Sequence, residues 1–455
     1  MLESRALRGA VAQLGERRVR NAKVEGSIPF RSIFPPSMAV HELLRPSTTG
    51  PSSEQAKAAA ARRTILFCFL VALCEGLDLQ AAGVAAGGLS REFMPTAGQK
   101  GLFFSASTFG LSIGAVIGGW LADRIGRKKV LIAAIGAFGL FSLLTIFAWD
   151  MQSLTIARLL TGLGLGGALP NLVAVAAETS VGANRNASIA TMYIGMPLGG
   201  AVASLIILVT AAANWRSVFV SGGVAPLVIV PFMAAFMPEP PGALTARRSR
   251  RVNTLPVSAL RELFGRERIA GTLLLWMSFF LALLILYLLL NWLPTLLEGR
   301  GMSRGQAAGA QIGFNLGGAA CALLVGTLLD TQLRRVSIVA TFVTLTLALL
   351  ALGKGPAQSG FVISLTLLLG GSVLAAQTIL YAVAADSHSA ANRGTGVGAA
   401  VAVGRVGSIA GPLVAALLIG TGRTPSQVLT GILPVVIACA IGVTILGWRA
   451  KQADT

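Results

Sequence analysis

Two carboxylates, Glu75 and Asp78, stand three residues apart in a stretch that is otherwise nearly all apolar, Leu66-Phe-Cys-Phe-Leu-Val-Ala-Leu-Cys-Glu75-Gly-Leu-Asp78-Leu-Gln-Ala-Ala-Gly83. That spacing puts both on one face of a helix. An ionised carboxylate in hydrocarbon is costly, so such residues usually face a cavity and serve a function. Two arginines, Arg158 and Arg405, share this setting, each inside its own apolar run. A guanidinium stays charged and can grip a carboxylate with two parallel hydrogen bonds. Moving a proton and binding an anion are the chemistry open to this set.

Other chemistries lack their residues. Two histidines occur, His41 and His388, neither in an apolar run, and all four cysteines (Cys68, Cys74, Cys321, Cys439) lie inside such runs. No metal-ligand cluster is expected, and disulfides belong to exposed parts of oxidised compartments. The apolar runs hold no nucleophile–base set, so the chain is expected not to be an enzyme and to need no cofactor beyond a proton as coupling ion.

The elements that must position these residues are membrane helices. The 455-residue chain is 54% hydrophobic and 12% charged, whereas a soluble domain carries about 25% charged residues. Mean hydropathy is +0.74. A spanning helix needs about 20 apolar residues. Twelve such spans are predicted, near 64–84, 101–122, 130–149, 153–177, 187–210, 216–236, 270–292, 306–329, 337–353, 358–384, 395–420 and 428–448. The fold class is therefore an all-α membrane protein. A polar segment, 238–268, holding Arg247, Arg248, Arg250 and Arg251, separates a first six-helix bundle (61–237) from a second (269–450). The net charge of +19 sits in short loops between spans, which suits a lipid bilayer and not nucleic acid. Loops after even-numbered spans hold fifteen Lys and Arg, against seven in the loops after odd-numbered ones. That bias places both termini in the cytoplasm, with the chain in a bacterial inner membrane. Residues 1–60 are polar and basic and lack the apolar core of a signal peptide, so disorder is expected there. Residues 1–37 read like translation through a transfer-RNA gene, and Met38 is the more plausible start.

An internal repeat is visible. Gly119-Trp-Leu-Ala-Asp123-Arg-Ile-Gly-Arg127-Lys128 follows span 2, and Gly326-Thr-Leu-Leu-Asp330-Thr-Gln-Leu-Arg334-Arg335 follows span 8, 207 residues later. Glu178 with Arg185, after span 4, and Asp386 with Arg393, after span 10, repeat at 208 residues. A duplicated six-helix unit usually means a transporter with its site between the halves.

Twelve spans in two sets of six, with Gly-x-x-x-Asp123-Arg-x-Gly-Arg127-Lys128 after span 2, resemble the major facilitator superfamily. Arg158 with Gly162, Gly164 and Gly166 resembles the span 4 motif of that superfamily. The acidic pair around Gly-Leu is similar to the aromatic acid:proton symporter family, whose usual form is Asp-Gly-x-Asp. With Glu75 at the first position, together with Asn291-Trp-Leu-Pro294 and Gly394-Thr-Gly-Val-Gly…Val403-Gly-Arg405, the chain is similar to the 3-(3-hydroxyphenyl)propionate transporters. The resemblance implies uptake of a small aromatic carboxylate together with a proton. It carries the acidic pair over to Glu75 and Asp78, and the latch of the cytoplasmic gate to Asp123.

Depth then assigns roles. At about 1.5 Å per residue, Glu75 lies near the midplane and Asp78 slightly outward. Arg158 sits roughly 7–8 Å below the outer edge of span 4, level with Asp78. An Asp78–Arg158 contact is predicted, the alternative for Arg158 being a plain tie between helices. Glu75 then lacks an obvious fixed cation, which suits a group that binds and releases a proton. Proton coupling is placed on Glu75 and Asp78, the alternative for Glu75 being a helix-packing hydrogen bond. Arg405 lies about 18 Å along span 11, at mid-depth, and is the favoured anchor for the substrate carboxylate, with Arg158 second. The alternative, pairing with a protein acid, finds none in the C-terminal spans. Polar pairs at i, i+4 spacing form a candidate substrate wall: Tyr287 and Asn291 on span 7, Gln311 and Asn315 on span 8, Gln377 and Tyr381 on span 10. Trp276 and Phe280 extend it. Such a wall can stack a ring and hydrogen-bond a phenolic hydroxyl, although singly these residues also serve as contacts between helices. Gating is placed on Asp123, Arg127 and Lys128, on Asp330 with Arg334, and on the pairs Glu178–Arg185 and Asp386–Arg393.

The expected function is proton-coupled uptake of a small aromatic carboxylate, 3-(3-hydroxyphenyl)propionate or a related hydroxylated acid, by a monomer. The alternative is an exporter of aromatic or drug-like compounds by proton antiport.

Overall fold

A computed structural model describes residues 51–179, 184–210, 214–237, 264–265, 268–388 and 392–449. The expected central loop, 238–268, and residues 1–50 lie almost wholly outside the described residues. The helices are α1 (Pro51–Phe93), α2 (Ala97–Ile125), α3 (Arg127–Leu144), α4 (Met151–Thr179), α5 (Asn184–Val209), α6 (Arg216–Phe236), α7 (Ile269–Glu298), α8 (Arg304–Leu329), α9 (Arg334–Lys354), α10 (Ser359–Asp386), α11 (Arg393–Gly420), α12 (Pro425–Gly431) and α13 (Leu433–Arg449). Eleven described stretches are long and apolar enough to cross a membrane, and α4 is a further apolar helix of 29 residues. The last span is two pieces, α12 and α13, because Pro434 has no N–H to return to the preceding turn. One expectation is corrected. Helix α1 starts at Pro51, inside the segment expected to be disordered. Proline suits the first helical position, and the alanines at 56 and 58–61 favour helix strongly.

Local signals set the helix ends. Thr96 and Gln99 form a reciprocal capping box at the start of α2, and Ser303 and Gln306 form the same box at the start of α8. These boxes lie 207 residues apart, the interval that separates Asp123 from Asp330. Gly126 adopts φ 102° between α2 and α3, a conformation that costs a side-chain-bearing residue far more than glycine.

Helix pairing repeats as well. A Cβ on Gly110, Gly114 or Gly118 of α2 would overlap the backbone of Leu159, Leu163 or Gly167 of α4. On Gly317 of α8 it would overlap Leu367 of α10, and on Gly370 of α10 it would overlap Phe314 of α8. Gly76 of α1 meets Met196 of α5 in the same way, and Gly407 of α11 meets Phe280 of α7. Small residues let membrane helices approach this closely. Pairs α1–α5 and α2–α4 in the first bundle thus correspond to α7–α11 and α8–α10 in the second.

Contacts between the bundles gather at the end where α1 finishes and α2 begins, here termed the far end. Helix α2 packs on α11 and α5 on α8. Ser105 Oγ donates to the Ile409 carbonyl at 2.8 Å, and Arg304 Nη2 to the Gly87 carbonyl at 3.1 Å. Phe104 meets Trp292 edge-on, ring centroids 5.2 Å apart. Among the described residues α4 and α5 make no comparable packing against α10 and α11, so the bundles part toward the near end.

Candidate functional site

Asp78 and Arg158 are fully buried inside the first bundle. Arg158 Nη1 donates to Asp78 Oδ1 at 2.7 Å and to Oδ2 at 2.8 Å, and Nη2 donates to the Asp78 carbonyl at 3.0 Å. Ser142 Oγ of α3 donates to Asp78 Oδ1 at 3.3 Å, and the guanidinium carbon lies 5.6 Å from the Phe219 ring centroid of α6. The contact predicted from depth is present. Its surroundings restrict the role of the pair, because α1, α3, α4 and α6 close over it and leave the two side chains 0% and 1% exposed. Both terminal nitrogens of Arg158 are committed, so in this state it is not available to a substrate, contrary to the role expected for it from sequence.

Glu75, one turn before Asp78, has the opposite situation. It is buried, its Oε1 has no hydrogen-bond partner, and it lies within electrostatic reach of Arg405 and Asp78. Depth along α1 gives Glu75 no cation. The fold supplies one from the other bundle, since convergence across the interface cannot be read from depth along a single helix.

Arg405 sits between Gly404 and Gly407 of α11, whose backbone lies against Phe279 and Phe280 of α7. Its Nη1 donates to the Tyr287 hydroxyl at 3.2 Å. Among the described residues it forms no ion pair. The whole chain has three tyrosines, and all three converge here: Tyr287 by that hydrogen bond, Tyr381 and Tyr193 through electrostatic reach of the same guanidinium. Tyr193 and Tyr381 are each 42% exposed and lie within electrostatic reach of the half-buried Arg405, which fits an opening between the bundles. Tyr381 sets its ring edge-on to Phe279 at 5.5 Å. Gln377, one turn before it, has an Nε2 without a partner, as does Trp276 at Nε1.

Three expected wall residues are engaged elsewhere. Gln311 Nε2 and Asn315 Nδ2 each donate to Gln80 Oε1 at 2.8 Å, and Gln80 Nε2 donates back to Asn315 Oδ1 at 2.7 Å. This buried amide clasp joins α1 to α8 across the bundle interface. Asn291 Nδ2 donates to the Tyr287 carbonyl at 2.8 Å in its own helix. The spacing gave the correct faces but not what those faces meet. Sequence reasoning missed Tyr193 and Gln80, although the scarcity of tyrosine was a usable signal.

At the near end Asp123 is exposed in the last turn of α2, Arg127 is half-buried, and Lys128 Nζ donates to the Ala234 carbonyl of α6 at 3.1 Å. Asp330 caps α8. The expected Asp386–Arg393 pair is replaced. Arg334 Nη2 holds Asp386 Oδ2 at 2.7 Å, and Arg393 Nε donates to the Ala385 carbonyl at 3.0 Å. The end of α10 lies against the start of α9, which brings Arg334 to the carboxylate first. The Glu178 and Arg185 side chains lie outside the described residues.

Comparison with known proteins decides the family. The model of the Major Facilitator Superfamily matches residues 68–449. The chain belongs to the major facilitator superfamily. It is 42% identical over 407 residues to the 3-(3-hydroxy-phenyl)propionate transporter of Escherichia coli K12, covering 89% of this chain and 98% of that protein. It is 32% identical to the 4-hydroxybenzoate transporter PcaK of Pseudomonas putida, covering 85% and 92%. It is 32% identical to the gallate transporter of the same organism, covering 79% and 85%. Among solved structures it is similar in fold to a bacterial homolog of the human lysosomal transporter Spinster, with TM-score 0.69, 16% identity and coverage of 87% and 98%. It is similar also to a D-xylose–proton symporter, with TM-score 0.67, 15% identity and coverage of 83% and 96%. This major facilitator protein is thus an all-α, multi-pass membrane protein whose relatives are transporters, and it is not an enzyme.

Proposed function

We propose that this protein takes up a small hydroxylated aromatic carboxylate together with a proton, by alternating access, as a monomer in a bacterial inner membrane. One observation carries the reading: Arg405 is a cation between the bundles whose hydrogen-bond partner is the Tyr287 hydroxyl and not a carboxylate. Arg405 is half-buried and forms no ion pair among the described residues, with Glu75 within its electrostatic reach; once Glu75 carries the proton, a substrate carboxylate would complete the site. The surrounding tyrosines supply faces for a ring and hydroxyls for a phenol. The relatives transport 3-(3-hydroxyphenyl)propionate, 4-hydroxybenzoate and gallate, each an aromatic acid with a ring hydroxyl. Glu75 is the proton carrier in this reading. Arrival of the anion at Arg405 weakens the attraction between Arg405 and Glu75, so anion and proton favour each other's binding. Asp78, sealed against Arg158, shapes the helix that presents Glu75. The arginine-rich near end faces the cytoplasm, so the open cleft faces inward and the gating roles of Asp123 and Arg334 belong to its closure.

Uptake of labelled 3-(3-hydroxyphenyl)propionate at acidic external pH tests this, with Arg405→Gln as the control. Saturable uptake by the wild type, with substrate-driven alkalinisation outside, is expected, and KM should rise roughly a hundredfold in the variant. Acidification outside would mean antiport and overturn the direction.

A further inference from the structure

We infer that Tyr193 reads the ring hydroxyl of the substrate from the first bundle, opposite the carboxylate anchor on the second. The inference rests on the uptake reading and adds a residue that discriminates between substrates. Most polar groups of the first bundle near this depth are committed. Asp78 and Arg158 hold each other, Gln80 is clasped to Gln311 and Asn315, and Asn171 Nδ2 donates to the Gly167 carbonyl at 2.9 Å. That leaves Glu75, Tyr193 and the Ser107 hydroxyl, and Ser107 is sealed off at 2% exposure. Among the described residues the Tyr193 hydroxyl has no hydrogen-bond partner, and the side chain is 42% exposed.

Its placement is fixed by packing. Gly195 and Gly199 of α5 lie against the backbone of Phe69 and Leu73 of α1, and Gly76 of α1 lies against that of Met196. These contacts lock α5 to α1 and leave Tyr193 within electrostatic reach of Glu75, Arg405 and Tyr381. An aromatic acid held at Arg405 therefore has its ring between the bundles, with the Tyr193 phenol on the far wall from its anchor. A phenol both donates and accepts, so it matches a ring hydroxyl in either orientation. A site built to hydrogen-bond a hydroxyl disfavours the analogue that lacks it.

The test compares two acids that differ in one group, 3-(3-hydroxyphenyl)propionate and 3-phenylpropionate, in wild type and Tyr193→Phe at equal membrane abundance. The variant keeps the ring and the packing and loses one hydroxyl. KM for the hydroxylated acid should rise roughly five- to tenfold, while KM for 3-phenylpropionate stays unchanged and preference between the two collapses. Equal changes for both acids, or no change for either, overturn the assignment of Tyr193 and leave the uptake reading standing. If the wild type transports neither acid, the uptake reading falls and this inference falls with it. Tyr381→Phe, run in parallel, shows whether loss of any cleft phenol has the same effect; identical loss of preference there would also overturn a specific role for Tyr193.

Discussion

The two acids of α1 are separated in role by one helical turn. Asp78 accepts hydrogen bonds from Arg158 and Ser142 and is closed off by four helices, whereas Glu75 faces the other bundle with an unpartnered oxygen. Removing one member of a buried ion pair leaves the other charge uncompensated, at a cost of about 3–5 kcal/mol. Asp78→Ala should therefore lower the thermal unfolding midpoint in detergent markedly, while Glu75→Gln leaves it close to wild type. An unchanged midpoint for Asp78→Ala would show that the pair does not hold the bundle. The Asp78–Arg158 contact was legible because it needs only helix direction and rise along two spans. The meeting of Glu75 with Arg405 was not, since it depends on how two bundles tilt against each other. Tyr193 was overlooked because a single polar residue in a span carries no periodic partner to flag it.

Between elements, backbone-to-backbone packing through glycine fixes the pairs α2–α4 and α8–α10. Gly110→Val would drive its side chain into the Leu159 backbone, whereas Gly119 has open space around its Cβ position. Folded protein recovered from membranes should fall severely for Gly110→Val and stay near normal for Gly119→Val, as read by monodisperse yield on size-exclusion chromatography. The amide clasp of Gln80 with Gln311 and Asn315 makes a second expectation at this scale. Gln80→Leu removes three hydrogen bonds between the bundles and leaves Gln311 Nε2 and Asn315 Oδ1 without those partners. A lone cysteine at Phe104, buried at the bundle contact, should then react faster with an impermeant thiol reagent added outside. An unaltered rate would mean that the clasp does not hold the gate. The six-plus-six plan and the matched turns could be read from sequence, because helix length, glycine spacing and capping residues are local. The clasp could not, because spacing at i, i+4 reports which residues share a face and is silent about the helix opposite.

At the scale of the molecule, two similar bundles press together at the far end and part toward the near end, with one guanidinium and one free carboxyl facing each other between them. In the proposed mechanism the anion and the proton act on the same pair of charges, and coupling would require that Glu75 change its protonation as the cleft changes sides. The most direct measurement compares wild type and Glu75→Gln in proteoliposomes, reading accumulation of labelled 3-(3-hydroxyphenyl)propionate under an inward proton gradient and exchange of labelled for unlabelled substrate without one. Accumulation should be lost in the variant while exchange persists, because the site still binds and the bundles still alternate. Accumulation by Glu75→Gln against a substrate gradient, at a rate near wild type, would contradict proton transfer through Glu75.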